Sequence, residues 1–320
     1  MAPHDSLTII EDEVIQSPIS QSKIDSLSSH ILNNLTNEEK EQAARASSYK
    51  YLVLATDPSQ NPSSDLRDEH AKVTIEKYLT VEQKLHKSHP HEQWAINAQT
   101  KFKKTLEFRN EYNVDDIRLC FKGESDSELH AHLRDGLLKR YCNGASVVRG
   151  YSKEGHALLQ NFPRTETAWD EEFFIKGNIF MLEKALACTE RRTDGSQNKV
   201  IVMYDYSGYG LANAPPTKLV GKLLMCLRDH FPEKLQNVFV VDAPFVFRAF
   251  WAIIKHFIDP ITKELVCFIS GEEAKKQVLG SIIEENEAST WMFDGAKVDC
   301  EVDVKTFFKD TPFEYTYGEN

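Results

Sequence analysis

The chain has 320 residues, 41% of them hydrophobic, and a formal net charge of −11. This length allows about two domains with a sizeable core, because domains usually contain roughly 100 to 200 residues. The acidic balance argues against nucleic acid as a partner, since proteins that bind its backbone expose a basic surface.

The first segment, residues 1–35, is rich in Ser, Asp and Glu with scattered isoleucines. It holds too little contiguous apolar surface to offset the entropy of ordering, so the composition predicts a disordered tail. Its start carries acidic residues where a secretory signal would have a basic flank and an apolar run. A cytoplasmic protein is therefore expected.

A helical pattern follows over residues 36–145. Thr36 and Glu39 have the spacing of a capping box ahead of EKEQAARASSYKYLVLA, and DPSQNPSSD at 57–65 is a turn-forming linker. A second helical set covers roughly 66–142. These residues are predicted to form a helical N-terminal module.

Beyond residue 145, short apolar runs alternate with helical patterns. The strand candidates are HALLQNF (156–162), KVIVMYDY (199–206), NVFVVDA (237–243) and ELVCFIS (264–270). The helical segments between and after them are 169–192, 215–231 and 271–283. Strands separated by helices favour an α/β layer with a mostly parallel sheet.

The most apolar stretch, residues 238–258, is interrupted by Asp242, Pro244, Arg248, Lys255 and His256. It is therefore no membrane span, which needs roughly 20 uninterrupted apolar residues. Its second part has one helical stripe, made of Phe247, Phe250, Trp251, Ile254, Phe257 and Ile258. The commoner interpretation is a helix that covers the sheet. The alternative is a movable lid over an apolar cavity that accepts acyl chains or an isoprenoid.

Three segments at characteristic spacing carry a family resemblance: HFPEKL (230–235), VVDAP (240–244) and FIDPITKE (257–264). Together they resemble the CRAL-TRIO domain of phosphatidylinositol/phosphatidylcholine transfer proteins and of tocopherol- and retinal-carrying proteins. Further similar segments are GYSKEGHALL (150–159), MYDYSG (203–208) and WMFDG (291–295). The resemblance implies an α/β CRAL-TRIO-like cradle, with a mostly parallel sheet, covering helices and a gate helix, preceded by an all-α N-terminal domain. The lipid-binding domain is assigned to residues 146–305, and residues 306–320 form a C-terminal tail.

The resemblance, together with the apolar pattern, also suggests site residues. The lipid-binding candidates are Val200, Val202, Tyr204, Val238, Val240, Phe247, Phe250, Trp251, Ile254 and Phe257. Glu233 and Thr262 match headgroup positions of phosphatidylinositol binders, with Lys263 as a substitute for the basic residue that Leu265 replaces. Val200 and Val202 stand where phosphatidylcholine binders have hydroxyl residues, and valine cannot hydrogen-bond a buried phosphate. The lipid is therefore left open between a phosphoinositide, another phospholipid and an isoprenoid.

The family's basic LRARK-type segment has a weak counterpart in EKYLTVEQK (76–84), where Thr80 and Glu82 replace typical arginines. Enzyme motifs are also incomplete. Gly208 and Gly210 give only part of a dinucleotide loop, and Asp205 occupies the first glycine position of a nucleophile elbow.

The H-x-H pairs at His89/His91 and His130/His132 match metal-ligand spacing only weakly, and solvated surface histidines are the commoner interpretation. Asp242 could be a catalytic acid, although a turn cap is the commoner use of Asp after a strand. No catalytic residue, metal site or cofactor other than a bound lipid is expected.

The sequence thus favours a non-enzymatic, cytoplasmic, monomeric carrier that associates transiently with a membrane surface. The alternative is a protein-interaction or trafficking module that has the same fold and no transfer activity.

Overall fold

The computed structural model describes residues 20–122 and 127–298. Seven helices precede the sheet in this part of the chain: α1 (Gln21–Asn33), α2 (Asn37–Ser47), α3 (Tyr49–Thr56), α4 (Ser64–Leu85), α5 (His91–Glu111), α6 (Val114–Leu119) and α7 (Glu128–Tyr141). The predicted all-α N-terminal region is therefore confirmed.

Local capping sets the start of two of these helices. The Glu39 backbone N–H donates to Thr36 Oγ1 over 3.1 Å, and the Thr36 N–H donates to Glu39 Oε2 over 2.8 Å, which confirms the capping box. Ser48 then accepts from the Tyr51 N–H. Because Ser48 has extended backbone angles, it divides the single predicted helix into α2 and α3.

Helix α1 corrects one prediction. Residues 21–33 were assigned to the disordered tail, yet they form a helix that buries Leu27, Ile31 and Leu32 against residues of α2, α4 and α5. Packing of this apolar face compensates for the polar composition of the segment. Residues 1–19 and the predicted C-terminal tail at 306–320 lie outside the described residues.

Five strands form one sheet: β1 (Ser146–Tyr151), β2 (Ala157–Asn161), β3 (Val200–Asp205), β4 (Leu235–Val241) and β5 (Val266–Ile269). They lie in chain order; β1 is antiparallel to β2, and the other neighbours are parallel. The predicted strand runs did not include β1. Its ladder shifts register between Val148 and Tyr151, around Gly150, which has a positive φ of 76°.

The remaining helices are α8 (Glu171–Arg192), α9 (Thr217–His230), α10 (Phe245–Ile254), α11 (Pro260–Glu264) and α12 (Glu272–Ile282). Crossovers between parallel strands are almost always right-handed, so parallel strands in chain order place their connecting helices on one face of the sheet. The predicted lid helix begins two residues earlier than expected and ends at Ile254, where a 3₁₀ turn over Lys255–Phe257 follows.

The two faces of the sheet pack against different helices, because successive side chains of a strand alternate between the faces. Ile201 and Met203 pack with Leu279 of α12. Val200 and Val202 point the opposite way and pack with residues of α8 and α9. The mostly parallel α/β fold with covering helices is thus confirmed.

A buried ion network joins helices α5 and α6 to helix α8 of the sheet domain. Glu183 of α8 accepts from Arg109 Nη1 over 2.8 Å and lies 3.2 Å from Arg118 Nε. Burial alone would raise the pKa of Glu183, but the guanidinium groups of Arg118 and Arg109 lower it to about 2. The carboxylate is therefore ionised throughout the physiological range.

Candidate functional site

A cavity of about 760 Å³ lies between the sheet and helices α9 and α10, and α4 contributes to one end of it. It follows β3 and β4 from their amino ends, at Lys199 and Lys234, to their carboxyl ends, at Tyr204 and Val240. The middle of its wall is apolar and consists of Leu159, Leu182, Val202, Val220, Leu223, Leu224, Leu227, Val238, Phe250, Trp251 and Ile254. Its volume lies in the usual range of small-molecule sites.

Most of the predicted lipid-binding residues line this cavity. They are Val202, Tyr204, Val238, Val240, Phe247, Phe250, Trp251 and Ile254. Val200 is instead fully buried in the core with α8, and the Phe257 ring lies against Gly221 of α9. Neither residue lines the cavity, because helix α8 covers Val200 and helix α9 lies against Phe257.

The predicted headgroup residues divide in the same way. Glu233 and Thr262 line the cavity, together with Leu265. Lys263 is exposed on α11 and does not line the cavity. The structure therefore does not support Lys263 as the substitute for the basic residue that Leu265 replaces.

Helix α10 separates the cavity from the surface. Phe247 is 3% exposed and packs on the Tyr206 ring at a centroid distance of 4.4 Å. On the opposite side, Phe245 is 80% exposed, with the Arg248 guanidinium 5.3 Å from its ring centroid. Both faces of α10 are apolar, although only one of them has a partner within the described residues.

At the amino ends of β3 and β4 the cavity wall becomes cationic. Lys84 Nζ of α4 donates to Glu233 Oε1 and Oε2 over 2.8 and 2.9 Å, and Lys199 Nζ lies 3.5 Å from Glu233 Oε2. Lys234 also lines the cavity here, and the buried Lys77 adjoins it. We call these five residues the lysine end.

The lysine end contains four lysines and one carboxylate, Glu233, and the Glu183 carboxylate outside it also attracts Lys77 and Lys234. Lys77 Nζ is buried and has no hydrogen-bond acceptor among the described residues. Burial, followed by the charge of Lys234, holds the pKa of Lys77 well below its usual value. Burial likewise lowers the pKa of Lys234. An anion placed here would gain hydrogen bonds and relieve the repulsion between these ammonium groups.

These lysines were not predicted, because residues 76–84 of α4 were compared with the LRARK-type segment only at Thr80 and Glu82. Thr80 donates to the backbone of Glu76, while Glu82 is buried and accepts from Asn97 over 3.0 Å. Neither residue lines the cavity. The residues that do are Tyr78, Val81, Lys84 and Leu85. Their helical spacing was the signal that could have identified this face.

At the carboxyl ends of the strands the wall is polar but balanced in charge. Arg140 Nη2 donates to Glu166 Oε1 over 2.9 Å, and its guanidinium carbon lies 4.8 Å from the Phe174 ring centroid. Tyr204 and Tyr206 are stacked beside this pair, with centroids 6.1 Å apart. We call Arg140, Glu166, Tyr204 and Tyr206 the tyrosine end.

The side chains considered for other chemistry lie in structural contacts. Asp242 accepts from the Gly271 N–H over 3.1 Å and pairs with Lys275 at 3.1 Å, so it holds the loop after β5. Among residues 20–122 and 127–298, no cluster of His, Cys, Asp and Glu could hold a metal ion. In the same ranges, no helix is both long and apolar enough to cross a membrane.

Comparison with known proteins agrees with this fold. Residues 142–288 match the model of the CRAL/TRIO domain. The phosphatidylinositol transfer protein CSR1 of Eremothecium gossypii is 29% identical over 181 residues, which is 55% of this chain and 39% of that protein. The phosphatidylinositol/phosphatidylcholine transfer protein SFH11 of Arabidopsis thaliana is 28% identical over 182 residues, 55% of this chain and 44% of that protein.

A further match is the human alpha-tocopherol transfer protein-like, 30% identical over 103 residues, 32% of this chain and 27% of that protein. The chain thus spans less than half the length of these curated relatives. The crystal structure of Sfh5 superposes with a TM-score of 0.52 at 14% identity, covering 82% of this chain and 85% of that one. This last likeness concerns the fold alone.

Proposed function

The chain carries a CRAL/TRIO domain in residues 142–288, and from this premise we propose that it binds one lipid in the cavity and transfers it between membranes. The observation that carries the proposal is an apolar cavity of about 760 Å³ with a cationic end. Each methylene that moves from water into such a wall contributes about 0.8 kcal/mol. Hydrocarbon can therefore be held there with few polar contacts, and no bond has to be made or broken.

The lysine end supports a lipid with an anionic headgroup. Phosphate oxygens would accept hydrogen bonds from Lys84 and Lys199, which pair with the Glu233 carboxylate, and from Lys234, which also lines this end of the cavity. Two of the relatives are named as phosphatidylinositol transfer proteins, and a phosphoinositol headgroup has the required charge. The hydrocarbon part would then lie along β3 and β4 beneath α10.

We infer that α10 moves during exchange of the lipid, because Phe247, Phe250 and Trp251 form the wall of the cavity on its side. The outward face of α10 suits a membrane surface. Phe245, Val246 and Ile253 are exposed there beside Arg248, a combination typical of helices that lie at a lipid interface. Docking on a membrane would bury these side chains while α10 is displaced from the cavity.

The lysine end provides the test. Lys234→Met keeps the length of the side chain and removes its charge, whereas Lys276→Met does the same on the exposed surface of α12. We expect Lys234→Met to lower phosphatidylinositol uptake from vesicles by about tenfold, because a hydrogen bond to a charged group is lost. Its resistance to unfolding should change little, because the loss of repulsion from Lys77 is opposed by the loss of attraction to Glu183.

Lys276→Met should behave as the wild type in both measurements. Equal phosphatidylinositol uptake by the wild type and Lys234→Met would contradict the assignment of the headgroup to the lysine end. If the wild-type protein took up no lipid of any kind from vesicles, the carrier function itself would be refuted.

A further inference from the structure

Two lysines of the lysine end adjoin each other. Lys77 of α4 is 8% exposed, and Lys234, which precedes β4, lines the cavity. Their amino groups are close enough to hydrogen-bond each other, whereas Lys77 Nζ has no acceptor oxygen among the described residues. An ammonium group has no lone pair with which to accept a hydrogen bond. A hydrogen bond between the two lysines therefore requires one neutral amine, so the pair holds one proton rather than two.

The surroundings of the pair do not restore the second proton. Burial is the largest influence on both amines and lowers the pKa of each. The Glu183 carboxylate opposes this effect, but it already binds two guanidinium groups, whose charges also lower the pKa of Lys234. The charge of Lys199 further lowers the pKa of Lys77. One amine of the pair is therefore neutral at physiological pH.

A neutral lysine amine is a nucleophile. At neutral pH an ordinary lysine has only about 1 in 2,500 of its amines in the neutral form, whereas a pair that shares one proton always contains one. Desolvation and a neighbouring cation are the two conditions that activate lysines to form imines with carbonyl compounds. Lys234 is the amine that meets a ligand, because it lines the cavity and Lys77 does not.

The position of Lys234 indicates the class of compound that reaches it. The amine lies at one end of the cavity, and the wall beyond it is apolar at Val202, Leu223, Leu227 and Val238. A hydrocarbon chain along this wall gains about 0.8 kcal/mol for each methylene removed from water. A long-chain aldehyde combines such a chain with an uncharged, reactive carbon at its end.

We propose that Lys234 forms a covalent imine with a long-chain aldehyde bound in the cavity. The Lys234 nitrogen adds to the carbonyl carbon, and one of its protons moves to the oxygen to give a carbinolamine. Lys77 then donates the shared proton to the departing hydroxyl group, which leaves as water, and the nitrogen returns a proton to Lys77. The carbon–oxygen double bond is replaced by a carbon–nitrogen double bond. One water molecule is released for each imine formed, no oxidant or reductant is consumed, and hydrolysis reverses the reaction.

The proposal rests on the carrier function proposed above, because it uses the same cavity. It adds a covalent bond to the apolar contacts. An anionic headgroup at the lysine end would keep both Lys77 and Lys234 protonated, so the phospholipid and the aldehyde exclude each other.

Reductive trapping tests the proposal. Phosphatidylcholine vesicles, which contain no primary amine, deliver hexadecanal to the full chain at neutral pH in the presence of sodium cyanoborohydride. This reagent transfers hydride to the imine carbon and leaves a stable secondary amine. Intact-mass measurement counts the adducts, and peptide mapping identifies the lysines that carry them. The variant is Lys234→Arg, and the control is Lys276→Arg on the exposed surface of α12. Parallel incubations replace hexadecanal with propanal or measure uptake of phosphatidylinositol.

We expect one hexadecyl adduct for each chain, located at Lys234 and formed about tenfold faster than with propanal, because the short aldehyde lacks the chain that fills the cavity. The adduct should be absent from Lys234→Arg and unchanged in Lys276→Arg. Peptide mapping of the wild type locates the adduct without relying on the fold of either variant.

Adducts spread over exposed lysines, with no preference for Lys234, would overturn the proposal. Equal rates for hexadecanal and propanal at Lys234 would overturn it as well. A chain that takes up phosphatidylinositol but forms no adduct at Lys234 would refute this proposal alone. A wild type that takes up no phosphatidylinositol or other lipid, whichever lysine reacts, would instead refute the carrier function.

Discussion

The ion network around Glu183 provides a quantitative test of how the helical region is attached to the sheet domain. Glu183→Gln preserves the shape of the side chain but removes the charge that faces Arg109 at 2.8 Å and Arg118 at 3.2 Å. Both guanidinium groups are almost fully buried. Breaking a buried ion pair by removing one partner usually costs about 3 to 5 kcal/mol, because the remaining charge is left uncompensated.

The lowered pKa gives an independent magnitude. A fall in the pKa of Glu183 from 4.5 to about 2 corresponds to about 3 kcal/mol of stability. Because the pKa is lower in the folded state, this contribution is complete above pH 4.5. It is lost as the pH falls from 4.5 to about 2. In Glu183→Gln the contribution is absent at every pH, so its stability should fall less steeply than that of the wild type over this acid range.

Urea denaturation at neutral pH and through the acid range measures both effects. Glu171→Gln on the same helix is the matched control, since Glu171 pairs with Lys222 at 2.9 Å but is exposed to solvent. We expect no measurable change in that variant. A loss below about 1 kcal/mol in Glu183→Gln would refute the reasoning, and so would an acid dependence identical to that of the wild type.

Two further predictions concern α10 and the turn that follows it. Gly221→Ala would place a Cβ atom 3.0 Å from the Phe257 ring, which must then shift together with the turn that follows α10. We therefore expect faster release of a fluorescent phosphatidylinositol. The control Gly280→Ala places its Cβ at an unstrained 4.0 Å from its nearest neighbour, and equal rates in the two variants would contradict a gate at this position. Phe250→Asp puts a charge in the cavity wall and should abolish lipid uptake, whereas Gln277→Asp on the exposed surface of α12 should not. If Phe250→Asp retained lipid uptake but lost a protein partner, the interaction-module alternative would be favoured.

The sequence alone predicted the parts of the site that depend on regular periodicity. The aromatic stripe of α10 was visible because Phe247, Phe250, Trp251 and Ile254 recur at helical spacing, and these four residues line the cavity. Strands β3 and β4 were visible as short apolar runs bounded by polar or turn residues. Val202 and Val238, which the family resemblance and the apolar pattern suggested as lipid-binding residues, line the cavity.

The residues that periodicity could not place depend on how separate elements meet. Val200 lies on the predicted face of β3, but packing against α8 buries it completely. The lysine end combines Lys84 from α4 with Lys199 and Glu233, more than 100 positions further along the chain. No local sequence pattern relates these residues. The charge of the site therefore depends on how the helical region packs against the sheet, which the sequence alone does not show.

The central claim is that the cavity holds one lipid, and native mass spectrometry of the purified full chain tests it most directly. We expect the mass of the protein plus one lipid, released on gentle activation and identified by its fragments as a lipid with a phosphate headgroup. Phe250→Asp should show the bare protein mass under the same conditions. A wild-type chain that is isolated without lipid, and remains without lipid after incubation with vesicles, would contradict the account.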